Sequence, residues 1–490
     1  MHAQDSPLTA LPSRILVPII VACALFMENL DATVLATSLP AIARDMGEDP
    51  IALKLALTSY LLSLAVFIPV SGWMADRFGA KPIFRLALAI FMLGSVFCGF
   101  AATLTDFVMA RIVQGMGGAM MVPVGRLVIL RSVPKSELVS ALAWFTIPAI
   151  VGPIAGPPLG GFITTYFSWR WIFYINIPIG MLGIVLVTRY IEDIREQSPP
   201  PLDWVGLLLL GTGLSGLVFG LAVLGQGVVP FWLALAMLAL GGVFCWLYSR
   251  HAARVAHPLL DLNLMRIVTF RASVVGGALF RIAMGATTFL LPLLFQVGFG
   301  LTAFASGMLT FVAAIGAFLM KFTAQPILGR FGFRNVLVAN ALISTVFVFG
   351  FALFTPATPH MLILGVLFVA GFFRSLQFSA VNTLVYADIA PPSMSQATSF
   401  ASAGHQLSLS LGVAAAALTL EAEQMVRGDT SILVDDFVTA FLVVGVIGAM
   451  SAVIFWRLPR DAGSELTGKV EESAGPADPA SAGRPSGAPG

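Results

Sequence analysis

The chain has 490 residues, of which 58% are hydrophobic and only 11% are charged, and its formal net charge is +2. Soluble domains carry about 25% charged residues, so this composition predicts an all-α polytopic membrane protein. It excludes a transmembrane β-barrel, whose short strands would alternate polar and apolar residues. Cys23, Cys98 and Cys245 fall in separate apolar runs without ligand spacing, which favours core residues over disulfides or a metal site. The sequence contains no catalytic triad and no phosphate loop, so it does not predict an enzyme.

Fourteen apolar runs are long enough to cross the hydrocarbon core of a bilayer, which is roughly 30 Å thick. They form groups of six, two and six, and a polar, proline-rich linker follows the sixth run. The first run is too long for a signal peptide and lacks a cleavage site, so we expect it to be retained. The predicted spans are residues 15–38, 52–73, 83–103, 106–130, 138–164, 171–190, 203–224, 230–249, 271–295, 303–325, 335–356, 361–385, 396–420 and 437–457.

This grouping predicts two six-helix bundles with two additional transmembrane helices in the linker between them. We assign residues 1–14 to an N-terminal segment, 15–190 to the first bundle and 271–457 to the second. Residues 191–270 form the linker, which ends in an interfacial segment, and the Gly- and Pro-rich residues 458–490 form a disordered tail.

Basic residues are concentrated at one set of helix ends and loops. The opposite set contains only Arg44, Lys54, Arg170 and Arg427. The positive-inside rule therefore predicts a cytoplasmic N-terminus, and the even number of spans predicts a cytoplasmic C-terminus as well. We expect a multi-pass protein of the cell inner membrane.

Two acidic residues, Glu28 and Asp31, lie inside the first apolar run. An ionised carboxylate near the bilayer centre costs several kcal/mol, so such groups usually face a wet cavity or a countercharge. A spacing of three places both on one face of a helix. The pair predicts a proton or cation site in a transporter. The alternative is that one residue pairs structurally while the other extends toward water.

Arg111 lies about five residues inside the outer end of span four, and Asp31 about seven residues inside the outer end of span one. The two side chains are therefore at similar depths and can form an ion pair. We hypothesise that protonation of Asp31 releases Arg111 during a transport cycle. A static, structural salt bridge is the alternative.

A tight basic turn occurs at equivalent places in the two predicted bundles. Residues 76–81 follow the second span, and the similar residues 329–334 follow the second span of the last six. A repeated motif at equivalent positions is expected of a protein built from two duplicated halves. We predict an inner gate at the first turn, where Asp76 and Arg77 exchange salt bridges. Its members are Gly72, Asp76, Arg77, Gly79 and Lys81, with Arg126 and Arg131 of span four as partners.

Five stretches resemble motifs of the major facilitator superfamily, specifically its fourteen-span drug:proton antiporter branch. They are residues 30–40 of span one, 72–81 of the first basic turn, 111–118 of span four, 152–161 of span five and 169–180 around span six. The resemblance implies the major facilitator fold and proton-coupled export of drugs by alternating access.

The span-five stretch carries glycines every four residues, which makes a smooth helix stripe on which a neighbouring helix packs closely. By resemblance, this stripe is a sealing interface that prevents proton leak, whereas ordinary helix packing is the alternative. Its predicted members are Gly152, Gly156, Pro157, Gly160 and Gly161.

The last six spans contain basic residues without an accompanying acid. Arg281 and Arg374 lie deep within spans, which indicates an anionic or zwitterionic substrate rather than the cationic drugs expected of this branch. The candidate residues of a polar substrate cavity are Gln114, Arg281, Arg374, Gln377, Asn382, His405 and Gln406.

The sequence thus predicts a secondary active antiporter that exports drugs or other amphipathic small molecules in exchange for protons. Its expected partners are the substrate, protons and the lipid bilayer, with no nucleic acid, and efflux accessory proteins are a further class of partner. We expect no cofactor, because the proton gradient would supply the energy. Alternatives are export of a specific metabolite or organic anion and, from another class, a membrane sensor or scaffold that does not transport.

Overall fold

We describe the protein from a computed structural model, which covers residues 13–132, 138–192, 201–224, 230–390, 393–428 and 431–463. Most of the predicted N-terminal segment (1–14) and of the predicted disordered tail (458–490) therefore lies outside the described residues, as do residues 193–200 of the predicted linker. The described elements are all helical.

Fifteen α-helices follow one another along the described chain. They are α1 Ser13–Met46, α2 Lys54–Phe78, α3 Ala80–Phe100, α4 Leu104–Ser132, α5 Leu138–Tyr166, α6 Trp171–Tyr174, α7 Asn176–Tyr190, α8 Trp204–Val223, α9 Phe231–Ala252, α10 Val268–Leu293, α11 Ala303–Phe331, α12 Phe333–Phe351, α13 His360–Leu384, α14 Met394–Arg427 and α15 Val434–Trp456. A 3-10 helix at Leu262–Arg266 precedes α10, and a π-helix at Leu294–Gly298 extends it.

Thirteen segments of the described chain are long and apolar enough to cross a membrane, and α5 is a further helix of 29 residues. The short α6 and α7 together form one of these segments. Each of the fourteen predicted spans therefore coincides with a helix or with the α6–α7 pair.

Several of the predicted spans are longer in the structure than expected, and α1 and α14 are two of them. Span one was expected to end at residue 38, but α1 continues through Pro40 to Met46. Span thirteen was expected to end at residue 420, but α14 continues through Glu421 to Arg427. Inside a membrane, helical hydrogen bonding satisfies backbone polar groups, so a polar or acidic residue need not end the helix.

The two basic turns have the same backbone geometry. Gly79 joins α2 to α3 with a φ of +100°, and Gly332 joins α11 to α12 with a φ of +75°. The N–H of Gly79 donates to the carbonyl of Ala75 at 2.9 Å, and the N–H of Gly332 donates to the carbonyl of Leu328 at 2.9 Å. Glycine adopts positive φ without the steric cost that a Cβ imposes. These turns mark equivalent positions in the two halves.

The described residues of the two halves share a large apolar core at one side of the molecule. We call the side on which α1 begins the near face and the side on which it ends the far face. At the far face, a single apolar core contains residues of both halves, such as Leu35 and Ile42 with Phe289 and Leu420. At the near face, one core contains only residues 17–191 and another only residues 272–458. Among the described residues, the halves are thus closed together at the far face and have separate cores at the near face.

The two additional helices lie beside the boundary between the halves. α8 packs on α9 and also on α2 and α14. Leu210, Leu214 and Val218 of α8 are buried in a cluster with Leu62 of α2. The linker helices therefore contact both bundles through α8.

The glycine stripe of α5 packs against α1 at the level of Asp31. A Cβ added at Gly152 would lie 2.9 Å from the Cβ of Asn29, and one added at Gly160 would lie 2.8 Å from the carbonyl oxygen of Val34. A Cβ at Gly156 would collide with the hydroxyl of Thr33. Only glycine at these positions permits so close a helix approach.

The same stretch also reaches the second half. A Cβ added at Gly161 would lie 2.7 Å from the Cα of Phe304 on α11, and the carbonyl oxygen of Pro157 faces Gly307. The predicted members of the antiporter stripe thus hold α5 against α1 and against α11.

We predict that Gly156→Leu lowers the free energy of unfolding by about 1–3 kcal/mol, because the added side chain overpacks the α1–α5 interface. The measurement is denaturant unfolding of the purified protein in detergent. Gly242→Leu is the matched control, because an added Cβ at this α9 glycine meets no heavy atom within 4 Å. Equal stabilities of the two variants would contradict the close-packed interface.

Candidate functional site

A buried ion pair joins the first and fourth helices. The Nη1 of Arg111 on α4 donates to the Oδ2 of Asp31 on α1 at 2.6 Å. Arg111 is 0% exposed and Asp31 is 3% exposed. Because both charges are removed from water, each depends on the other and on nearby dipoles for its stabilisation.

Two amides complete the hydrogen bonding of the Asp31 carboxylate. Its Oδ1 accepts from the Nε2 of Gln114 at 2.8 Å and from the Nδ2 of Asn176 at 3.1 Å. Both amides also donate to the hydroxyl of Ser95 on α3, at 2.9 Å and 3.2 Å. The carboxylate therefore accepts from three side chains, and the network ties α1, α3, α4 and α7 together.

Arg111 makes further contacts with α2 and with its own helix. Its Nε donates to the carbonyl of Ala56 at 3.4 Å, and its guanidinium lies 4.1 Å from the ring centroid of Tyr60. Its Nη1 also donates to the Oε1 of Gln114. The Nη2 and the hydroxyl of Tyr60 have no hydrogen-bond partner among the described residues. Protonation of Asp31 would remove the one anionic acceptor that this guanidinium has in the network.

Glu28 lies one helical turn before Asp31, on the near-face side. The residue is 8% exposed, and its Oε2 has no hydrogen-bond partner among the described residues. A buried carboxylate oxygen without a donor is costly when ionised, and it can take up a proton instead. Glu28 and Asp31 thus give α1 two buried carboxylates in different settings.

A second buried ion pair crosses from one half to the other. The Nζ of Lys54 at the start of α2 lies 2.7 Å from the Oε1 of Glu421 on α14. Lys54 is 0% exposed, although the sequence analysis assigned it to an outer loop. Nearby, the hydroxyl of Ser410 donates to the carbonyl of Thr58 at 3.3 Å. Both contacts join the two halves at the far face, where the halves are closed together.

The predicted gate residues lie on the near face. Arg77 and Arg126 are exposed, Lys81 and Asp76 are partly buried, and a Cβ added at Gly72 would meet no heavy atom within 4 Å. The open space beside Gly72 is consistent with helix ends of the two halves that are separated at the near face. The side chain of Arg131 lies outside the described residues.

The predicted cavity residues fall into separate environments. Gln114 belongs to the Asp31 network rather than to an open cavity. Gln377 is likewise 0% exposed, because it accepts from Asn340 at 3.0 Å and donates to the carbonyl of Leu337. Each glutamine thus joins helices within its own bundle, and neither one lines an open cavity.

Arg281 and Asn382 are brought together, since the Nη2 of Arg281 donates to the amide oxygen at 2.8 Å. His405 packs against the ring of Phe378 with centroids 5.5 Å apart, and Gln406 is partly buried beside it on α14. Arg374 lines a separate cavity between helices of the second bundle.

Sequence reasoning missed several members of both ion-pair systems. Asn176 lies in a stretch that carries the family resemblance, and a polar amide inside an apolar run was the signal that could have found it. Ser95 gives no such signal, because small hydroxyl residues are common in membrane helices. Lys54 and Glu421 were missed because each lies at the end of its predicted span, where a charge is expected to reach water.

We predict that Asp31 and Arg111 are energetically coupled. Arg111→Leu should lower the free energy of unfolding by about 3–5 kcal/mol, because it leaves a buried carboxylate without its countercharge. Asp31→Asn should cost less, about 1–3 kcal/mol, because the amide oxygen still accepts from Arg111. The double variant should cost less than the sum of the two, which a double-mutant cycle in denaturant measures.

The matched control is the pair between Asp45 and Arg170, which is 2.7 Å long but about half and one-third exposed. Its coupling should stay below about 1 kcal/mol, because water screens it. Additive effects at Asp31 and Arg111 would mean that the buried pair contributes no coupling.

Comparison with known proteins agrees with this architecture. The model of the Major Facilitator Superfamily matches residues 21–413 and 274–486. The chain is 37% identical over 455 residues to MdtD of Salmonella typhimurium, a protein named for multidrug resistance, and the match covers 90% of this chain and 94% of the relative. It is 38% identical over 451 residues to MdtD of Klebsiella pneumoniae, and that match covers 91% of this chain and 95% of the relative.

The fold is also similar to that of solved transporters. The crystal structure of a D-xylose-proton symporter superposes with a TM-score of 0.63 at 16% identity, over 91% of this chain and 98% of the symporter. These findings confirm the predicted family and the predicted all-helical membrane fold. The chain belongs to the major facilitator superfamily and is a membrane transporter, not an enzyme.

Proposed function

We propose that this transporter is a proton-coupled antiporter that exports drugs or other amphipathic small molecules. The observation that carries the proposal is the Asp31–Arg111 pair, which is buried in the first bundle with a second carboxylate, Glu28, one turn away. A carboxylate with a cationic partner has two stable arrangements, ionised with the pair formed and protonated with the pair broken. Such a group can link proton binding to helix movement.

The proposed transport cycle is inferred from the difference between the closed far face and the near face, where the halves have separate cores. We infer from the positive-inside pattern that the near face is cytoplasmic, as are both termini, and that the membrane is the cell inner membrane. The described arrangement, closed at the far face, would receive substrate from the cytoplasm. When the far face opens, a proton from outside would protonate Asp31, release Arg111 and be carried inward as the halves return.

The nature of the substrate is supported by relatives. The two MdtD proteins are named for multidrug resistance, and the match extends over nine-tenths of this chain. We infer an amphipathic small molecule as the exported substrate, with lipid around the bundles and no cofactor other than the proton gradient. An organic anion is the second candidate, because the deep cations Arg281 and Arg374 belong to a half whose spans contain few acids.

We predict that Asp31→Asn abolishes ethidium transport driven by a pH gradient but retains ethidium counterflow. The amide cannot carry a proton, whereas substrate exchange needs only the conformational change. The measurement is uptake into proteoliposomes with and without a pH gradient. Asp45→Asn is the control, because this residue lies on the same helix in a half-exposed pair and should keep coupling. Normal coupling by the Asp31→Asn protein would refute the proposed role.

We further predict that Lys54→Met opens the far face. Removing the lysine takes away the ion pair that joins the buried Glu421 to the first half, a loss of up to about 3–5 kcal/mol for the closed arrangement, which should favour far-face opening. Hydrogen exchange should then speed up at the start of α2 and the end of α14. Arg170→Met, which breaks a pair within the first half, should leave that exchange unchanged. Unaltered exchange in Lys54→Met would show that the pair does not hold the far face closed.

A further inference from the structure

The two halves carry the same short pattern in equivalent helices. Arg111 and Gln114 lie on α4, the fourth helix of the first bundle, and Arg374 and Gln377 lie on α13, the fourth helix of the second bundle. In each case the glutamine follows the arginine by three residues and is fully buried. The arginines share this pattern but not their depth, because the turn register puts Leu364 at the position of Arg111 and Arg374 ten residues further along the chain.

The second half lacks a counterpart of Asp31. Counting back from the equivalent turn glycines puts Met284 of α10 at the place of Asp31, and counting back from Pro40 and Pro292 puts Ala283 there. By the turn register, Val348 of α12 likewise takes the place of Ser95. The acid and the hydroxyl of the first network are thus replaced by apolar side chains.

Among the described residues, no acid forms an ion pair with Arg374. The sequence contains no Asp or Glu between Asp261 and Asp388. Glu421 lies near the far-face end of α14, roughly 25 Å further along the membrane normal by helical rise. Within the described chain, Arg374 forms no hydrogen bond or ion pair. A cation at this depth without a countercharge is costly, and it marks a functional site by default.

A cavity occupies the place that the polar network takes in the first half. It lies between α10, α11, α12, α13 and α15, and Ala283, Met284, Val348 and Arg374 all line it. Phe280, Phe347 and Phe351 provide much of its apolar wall. The hydroxyl of Ser344, also on the wall, has no partner among the described residues. An apolar cavity with one cation and one free hydroxyl suits an amphipathic anion.

We propose that this cavity binds an amphipathic organic anion, whose carboxylate or sulfonate pairs with Arg374 in the way that Asp31 pairs with Arg111. A guanidinium recognises such a group through parallel N–H donors. The apolar body of the ligand lies against the phenylalanines. This assignment names a substrate class for the proposed exporter and rests on that function for transport, whereas binding is measurable without it.

The test is equilibrium binding of radiolabelled 1-naphthoate to the full chain in lipid nanodiscs, with neutral 1-naphthamide as the matched ligand. We expect Arg374→Met to weaken naphthoate binding about tenfold or more while naphthamide binding changes little. Met284→Asp should weaken naphthoate binding to a similar extent, because the new carboxylate would occupy Arg374 from within the protein.

Arg374→Lys should lose less affinity than Arg374→Met, because it keeps the charge. Lys321→Met is the control for charge removal, since this lysine lies in the same half, bonds to Ser379 at 2.8 Å and does not line the cavity. Equal wild-type affinity for naphthoate and naphthamide, or full naphthoate affinity in both Met284→Asp and Arg374→Met, would overturn the site.

Thermal unfolding in nanodiscs checks that each variant is folded, and gradient-driven ethidium transport by the wild type tests the exporter separately. If naphthoate binding depends on Arg374 but no gradient-driven transport occurs, the binding site is supported and the antiport function is refuted. If ethidium transport is coupled to the gradient but naphthoate does not bind, the antiport function is supported and the binding site is refuted.

Discussion

The structure of the first bundle depends on one buried negative charge. Asp31 is shielded from water, so its carboxylate needs donors from the protein. Two helices supply them, α4 through Arg111 and Gln114 and α7 through Asn176. On the opposite side, the glycines of α5 let the backbone of that helix pass close to residues 29–34. The charge is thereby held from one side by hydrogen bonds and from the other by packing, and a change in its protonation affects every helix that touches it.

The two buried ion pairs have different positions in this arrangement. Asp31 and Arg111 lie within one half, so their pairing can persist while the halves rock as bodies. Lys54 and Glu421 belong to different halves, so they separate when the far face opens. In the proposed antiporter, the first pair would sense the proton and the second would add to the stability of one conformation. Both act through the same physical rule, that a buried charge without a partner is costly.

Much of the fold and part of this site could be predicted from the sequence. Helical rise alone puts Asp31 and Arg111 at similar depths, and the structure brings them together. Depth says nothing about the direction in which a side chain points around its helix. Gln114 and Gln377 were for that reason expected in an open cavity, whereas each is buried in hydrogen bonds between helices. Lys54 was missed because a charge at the end of an apolar run suggests a loop, and only the partner from the other half makes its burial tolerable.

The duplicated architecture makes the differences between the halves informative. Both halves have the tight turn, at Gly79 and Gly332, and both have an arginine on the fourth helix. Shared positions of this kind reflect what the fold requires, such as positive φ at a turn. The first half surrounds its arginine with an acid and amides, whereas the second surrounds Arg374 with phenylalanines and open volume. A fold that needed the second arginine only for packing would have no reason to leave its charge uncompensated, so the asymmetry itself argues that the countercharge arrives from outside the chain.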